Sequence, residues 1–146
     1  MTLSDWLRNS WLQKHRTSRE EIQGLLSVVD RSLQDAETPG LSLDGRFNQA
    51  YNAALQCAVA ALAAEGFRLP GQSKHYRAID SLALTLGETP ENVRLLDAAR
   101  KKRHVAVYER SGSITDVEVE EIMVYARELR SRLLNWLKKN HEELLP

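Results

Sequence analysis

The segment RKKRHVAVY, residues 100–108, concentrates side chains that could bind a phosphate group. Four consecutive cations precede a histidine, and a tyrosine follows four residues after that histidine. An arginine guanidinium can bind two phosphate oxygens at once because its planar fork matches their geometry. The segment is therefore either a phosphate-binding site or a solvated helix face whose cations pair with acidic side chains.

In a helix through this segment, the four cations would lie in different environments. At about 100° per residue, Arg100, His104 and Tyr108 fall on one line of the helix surface. Arg103 instead shares a face with Leu96, which is expected to point into the core, so Arg103 should be at least half covered. A partly buried arginine needs an acceptor. A phosphate or a carboxylate of the chain could serve, and the next helix opens with four acidic residues: Asp116, Glu118, Glu120 and Glu121.

Outside this segment, few residues could carry out catalysis or bind a metal. The histidines at positions 15, 75 and 141 lack the spacing of a zinc site, and no cofactor is expected. His75 could complete a site across the bundle, or it could be a surface histidine near a helix start. The only cysteine, Cys57, lies among alanines and is expected to be a small buried apolar residue. No glycine-rich phosphate-binding loop is present.

Length and charge limit the class of protein. With 146 residues, the chain is expected to form one domain, 1–146. Its 20 lysines and arginines balance its 20 aspartates and glutamates, so attraction for nucleic acid must come from a local patch. The N-terminus does not read as a secretory signal, and the longest apolar stretch, 50–64, is too short to cross a membrane. These features predict a soluble, cytoplasmic protein.

Nearly every segment repeats at the helical period, and none alternates as a half-buried strand would. Serine or threonine stands at four predicted N-caps, Ser4, Ser18, Thr89 and Thr115, with capping boxes at the second and the fourth. The pattern predicts helices over residues 4–15, 18–36, 43–65, 72–87, 90 to about 110, and 116–139.

The predicted fold class is all-α. Because the loops are short, sequential helices should be antiparallel neighbours. This favours an antiparallel bundle of about four long helices over 18–140, with a short N-terminal helical arm over 1–17. The central helix has a broad apolar arc. It also has a narrow polar ladder, formed by Asn48, Asn52 and Gln56, which is either a solvated strip or faces a cleft.

The chain resembles the HEPN domains (higher eukaryotes and prokaryotes nucleotide-binding), in the bacterial branch with a degenerate motif. The resemblance covers roughly residues 18–140 and rests on the order of long helices and on the stretches FNQAYNAALQCAVAAL, KHYRAIDSLALTLG and RKKRHVAVYE. HEPN ribonucleases carry an arginine, usually a polar residue after it, and a histidine about four to six residues further on. Arg103 and His104 match the first two, and Tyr108 stands where the family's histidine would fall. Counted from Arg100, His104 has the histidine spacing.

The resemblance implies a homodimer whose motif helices face each other across a groove, and metal-independent RNA cleavage. In that reaction, the 2′-hydroxyl attacks its own phosphate, an arginine stabilises the developing charge, and a histidine moves a proton. Arg103 would hold the scissile phosphate, His104 would carry the proton, and Tyr108 would assist by hydrogen bonding or by stacking on an unpaired base. Residues expected to bind the substrate are Arg100, Lys101 and Lys102.

Two functions follow from this resemblance. The first is an RNA- or nucleotide-binding protein of the prokaryotic toxin–antitoxin or defence class, with the altered motif leaving open whether it is an endoribonuclease. The second is a non-catalytic, dimeric helical binding or scaffold module. The expected partners are RNA or a nucleotide, a second copy of the chain and, in the first case, an antitoxin or a nucleotidyltransferase. No membrane partner is expected.

Overall fold

Six α-helices make up most of the computed structural model, which describes residues 1–71 and 75–146. In chain order they are α1 (Leu3–Arg8), α2 (Arg19–Ala36), α3 (Leu43–Ala64), α4 (His75–Thr85), α5 (Pro90–Tyr108) and α6 (Asp116–Asn140). The other regular elements of these residues are two short strands and a 3-10 turn: β1 (Gln13–Lys14), β2 (Phe67–Arg68) and Glu142–Leu144. The all-α prediction is confirmed. None of the described helices has both the length and the apolar character that crossing a bilayer requires.

Helix α3 lies at the centre of the fold and packs against α2, α4, α5 and α6. Thirteen of its 22 residues are buried, and nine of those are alanine or cysteine, so four neighbouring helices can approach its backbone closely. Cys57 is fully buried, as predicted, and burial raises the pKa of its thiol to about 12. The neighbouring helices supply the larger core side chains, among them Ile22, Val29, Ile79, Leu82, Leu96, Leu129 and Leu133.

The N-terminal arm differs from the predicted helix over 4–15. Helix α1 is capped by Thr2, not by Ser4, and it ends at Arg8. Ser10 has a φ of 61°, which a right-handed helix cannot contain. After this turn, β1 pairs antiparallel with β2, which ties the arm to the segment that follows α3. These two-residue strands were not predicted, since a strand of this length has no alternation to detect.

The capping box predicted at the start of α2 forms only in part. The Ser18 hydroxyl accepts a hydrogen bond from the Glu21 backbone N–H at 3.1 Å, as expected. The Glu21 carboxylate does not return to Ser18, because it lies 2.7 Å from His15 Nε2 and accepts a hydrogen bond from the Thr17 hydroxyl. This side chain therefore joins the N-terminal arm to α2 instead of completing the cap.

The other helix boundaries lie close to those predicted. The box at Thr115 is complete, and Thr89 caps α5 with Pro90 in its first turn. The first three residues of the predicted helix 72–87 lie outside the described residues; α4 ends at Thr85, and Gly87, with a φ of 71°, supplies the predicted stop. Helix α5 ends two residues earlier than predicted, and α6 ends one residue later.

A buried carboxylate joins the turn between α4 and α5 to α6. Only 3% of the Glu88 side chain is exposed. Its Oε1 accepts hydrogen bonds from the Tyr125 hydroxyl at 2.8 Å and from Arg132 Nη2 at 2.9 Å, and its Oε2 accepts one from Arg132 Nε at 2.8 Å. Asn92 Nδ2 adds a longer hydrogen bond at 3.3 Å. Glu88 thus fixes the two helices that carry most of the candidate site against α6.

Candidate functional site

Arg103 lies where α5 faces α3, and it is half-buried, as its spacing from Leu96 predicts. Its Nε donates a hydrogen bond to Asn48 Oδ1 at 2.8 Å. Its guanidinium carbon lies 5.8 Å from the centre of the Tyr51 ring, within cation–π range. The acceptor that the half-buried arginine requires is therefore a neutral amide.

The positive charge of Arg103 has no carboxylate partner among residues 1–71 and 75–146. Asn48 engages only Nε, and no other acceptor in these ranges is hydrogen-bonded to the guanidinium. The terminal nitrogens are the donors that bind phosphate oxygens most directly. Arg103 therefore keeps both the charge and the donors that a phosphate requires.

The other three cations of the basic segment have carboxylate partners. Arg100 Nε donates to Asp97 Oδ1 at 2.8 Å, and Lys101 Nζ lies 3.4 Å from the second oxygen of the same carboxylate. Lys102 Nζ lies 2.9 Å from Glu118, so this residue pairs with the acidic start of α6. Three cations of the segment therefore share two carboxylates, whereas Arg103 has none among the described residues, and the substrate-binding role of the three stays a prediction.

The structure adds a histidine that the basic segment does not contain. His75, the first residue of α4, places its Nδ1 3.0 Å from the Tyr51 hydroxyl oxygen. Tyr51 is almost fully buried, with the Arg103 guanidinium near its ring and the His75 imidazole at its hydroxyl. His75 itself remains accessible to solvent. Both alternatives that the sequence left open for His75 are met in part, because it is exposed at the start of α4 and also contacts Tyr51 of α3.

Partial burial and two guanidinium groups govern the protonation of this histidine. Burial, followed by the charges of Arg103 and Arg100, lowers the pKa of His75 below its ordinary value. Burial raises the pKa of Tyr51 to about 12, against the opposing effect of the same arginines. At neutral pH, Tyr51 is therefore a phenol and His75 a neutral imidazole. The unprotonated ring nitrogen of this imidazole can accept a proton, and the tautomer decides which nitrogen that is.

We expect the His75 imidazole to titrate below 6.5, and we expect Arg103→Gln to raise its pKa, because one of the charges that disfavours the imidazolium is removed. An NMR pH titration of the His75 Cε1 proton measures both values. Arg94→Gln is the matched control, since Arg94 lies on the same helix with 70% of its side chain exposed. A His75 pKa that does not respond to Arg103→Gln would contradict the placement of the two groups.

His104 and Tyr108 form a separate pair at the end of α5. Their ring centres lie 4.8 Å apart, and Tyr108 is 67% exposed. Within the described part of the chain, neither side chain is hydrogen-bonded to Arg103 or to the Tyr51–His75 pair. Their catalytic roles stay predictions, and an exposed aromatic pair beside a cation also suits stacking with an unpaired base.

The polar ladder of α3 contacts neighbouring helices at two of its three positions. Asn48 accepts the hydrogen bond from Arg103 on α5, whereas Asn52 Nδ2 donates to Ser32 Oγ on α2 at 3.1 Å. Gln56 Nε2 donates to Asn52 Oδ1 at 3.4 Å. All three ladder residues are half-buried, so the ladder is not simply a solvated strip, and its Asn48 end belongs to the candidate site.

Comparisons with known proteins do not indicate a function for this chain, so a function has to be argued from the chemistry of the site. No protein-family model matches the chain, and no curated protein or solved structure matches it significantly. Among the described side chains, no group of three or more histidines, cysteines, aspartates and glutamates is placed to hold a metal ion. The distinctive arrangement is the uncancelled guanidinium of Arg103 beside the coupled pair of Tyr51 and His75.

Proposed function

We propose that this chain is a cytoplasmic HEPN-type RNA- or nucleotide-binding protein of the prokaryotic toxin–antitoxin or defence class, and that it cleaves RNA without a metal ion. In this proposal, the long helices form the antiparallel four-helix bundle of such domains, and two copies associate as a homodimer. An antitoxin or a nucleotidyltransferase would silence the activity.

One observation carries this proposal: Arg103 is half-buried between helices and makes no ion pair with a described residue. A carboxylate partner, such as Asp97 is for Arg100, would cancel most of the charge of Arg103. Arg103 contacts an amide and an aromatic ring instead, which hold its side chain in place without cancelling its charge. Such an arrangement suits an anion that arrives from outside the chain.

The proposed reaction uses the residues around Arg103. The 2′-hydroxyl oxygen forms a bond to phosphorus as the bond from phosphorus to the 5′ oxygen breaks, which leaves a 2′,3′-cyclic phosphate and a 5′-hydroxyl. Arg103 would stabilise the charge that develops on the non-bridging oxygens. The neutral imidazole of His75, or the ring of His104, would accept the 2′-hydroxyl proton, and water would protonate the leaving oxygen.

The second candidate function is a non-catalytic, dimeric binding or scaffold module. The observation that favours it is the exposed pair of His104 and Tyr108, whose rings lie against each other at the position of the family's motif histidine. Such a surface could hold an unpaired base while Arg103 holds the neighbouring phosphate, with no bond broken.

Incubation of the purified protein with single-stranded RNA in the presence of a chelator distinguishes these functions. Cleavage that leaves a cyclic phosphate, and that is lost on Arg103→Ala, is the result expected for the nuclease. Binding without cleavage, weakening steeply as salt rises, would support the binding module instead. Absence of both cleavage and binding would overturn both functions, and the cations of residues 100–103 would then serve only in surface ion pairs.

A further inference from the structure

A groove lies between α5 and α6. It is on the side of α5 that faces α6, whereas His75 belongs to α4, on the other side of α5. Helices α5 and α6 each pack against α3 but make few direct contacts with one another. The floor of the gap between them is apolar and comes from three helices, with Phe47 of α3, Ala99 of α5 and Ile122 of α6. These three side chains are almost fully buried, so the floor of the groove lies at the edge of the core.

Large apolar side chains also line the outer part of this groove. Leu95 of α5 is 38% exposed, and Val117 and Val124 of α6 are 66% and 43% exposed. Only seven large apolar side chains are exposed among the residues that the structure describes, and these three share one groove. Scattered exposed apolar residues are ordinary, whereas a contiguous group marks an interaction surface.

The rim of the same groove is acidic and largely unneutralised. Glu120, Glu121 and Glu128 line it, and no described lysine or arginine lines its outer part. Glu120 and Glu121 make no ion pair with a described residue, and Glu128 lies only at 3.9 Å from Arg132, which is already bonded to Glu88. The rim therefore presents negative charge beside exposed apolar surface.

The length and shape of the groove suit a helix. The lining residues of α6 extend from Val117 to Glu128, which is about 16 Å or three helical turns. Val117 and Val124 are seven residues apart and so lie on one face of α6, parallel to the groove. A helix laid between α5 and α6 would bury its apolar face on these side chains.

We propose that the groove between α5 and α6 is a docking site for a cationic amphipathic helix of a partner protein. Apolar side chains of that helix at positions i, i+3, i+4 and i+7 would contact Leu95, Val117 and Val124. Its lysines or arginines would face Glu120 and Glu121, so the charge of the rim selects the partner. This inference goes beyond the proposed function and does not depend on Arg103.

The test uses three synthetic peptides of about 18 residues, or five helical turns. The first carries leucine at i, i+3, i+4 and i+7 with lysine elsewhere, the second replaces each lysine with glutamate, and the third has the composition of the first with leucine spread round the helix. Fluorescence anisotropy with the full chain is expected to show binding of the first peptide alone, and this binding should weaken as salt rises.

Substitutions in the groove then locate the binding. The double variant Val117→Gln, Val124→Gln is expected to bind the lysine peptide about tenfold more weakly, because most of the exposed apolar surface is lost. Leu41→Gln is the control, since Leu41 is likewise an exposed apolar residue, at 38%, but lies outside the groove. The double variant Glu120→Lys, Glu121→Lys is expected to reverse the preference, binding the glutamate peptide over the lysine peptide.

Three results would overturn the docking site. The first is equal binding, or equal lack of binding, of the lysine and glutamate peptides. The second is binding that the groove substitutions leave unchanged. The third is a dimer in sedimentation velocity that dissociates on Val117→Gln, Val124→Gln but not on Leu41→Gln, because the groove would then be occupied by a second copy. Circular dichroism of each variant checks that the helices are retained, and the charge-reversal variants test the site without altering its apolar lining.

Discussion

Glu88→Ala is expected to lower the free energy of unfolding by about 3 kcal/mol, the lower end of the range for breaking a buried ion pair. The substitution removes the acceptor of three short hydrogen bonds and leaves the Tyr125 hydroxyl buried without its partner. Arg132 keeps 38% of its side chain exposed, so water can solvate part of its charge, which is why the lower end applies. Urea denaturation at pH 7, followed by circular dichroism, measures the change.

Glu128→Ala is the matched control for this prediction. Glu128 approaches the same arginine, but at 3.9 Å and with 58% of its side chain exposed. Its removal should cost less than about 0.5 kcal/mol, as is usual for an exposed pair. If both variants lost the same stability, the buried hydrogen bonds of Glu88 would not be what holds the turn between α4 and α5 to α6.

Arg103→Ala is expected to slow the proposed RNA cleavage by about 10²–10³-fold, the usual effect of removing one group that stabilises a developing oxyanion. The loss should exceed that of any other single cation in the basic segment, because each of the other three already pairs with Asp97 or Glu118. The initial rate of cleavage of a single-stranded RNA in chelator gives the comparison.

Two further substitutions separate charge from position in this assay. Arg103→Lys keeps the charge but loses the planar fork, so its rate should lie between those of the wild type and Arg103→Ala. Arg94→Ala removes an arginine of the same helix whose side chain is 70% exposed and should leave the rate unchanged. Equal losses in Arg94→Ala and Arg103→Ala would show that the helix contributes only general positive charge.

The all-α fold could be predicted because its signals are local. Helical periodicity and the caps at Ser18, Thr89 and Thr115 place the long helices to within one or two residues. The N-terminal arm could not be predicted, since its path depends on one residue with positive φ and on a strand pair that joins segments more than 50 residues apart. The second hydrogen bond of the capping box at Ser18 could not be predicted for a similar reason, because the Glu21 carboxylate bonds to His15 and Thr17 of that arm instead.

The candidate site could be predicted only in part. The half-buried position of Arg103 follows from its spacing to Leu96 along one helix. Its contact with Asn48 crosses 55 residues, and the hydrogen bond of His75 to Tyr51 crosses 24, so neither leaves a trace in a short window of sequence. The polar ladder on α3 was the available signal, since an amide on an otherwise apolar helix needs a partner on a neighbour.

The deep burial of Cys57 has a practical consequence for experiments on this protein. It is the only thiol in the chain, and with its pKa raised to about 12, very little of it is thiolate near neutral pH. Maleimide dyes, which react with the thiolate, should therefore leave the native fold almost unlabelled. A single cysteine introduced on the surface would accept a fluorophore selectively, without the original one having to be removed.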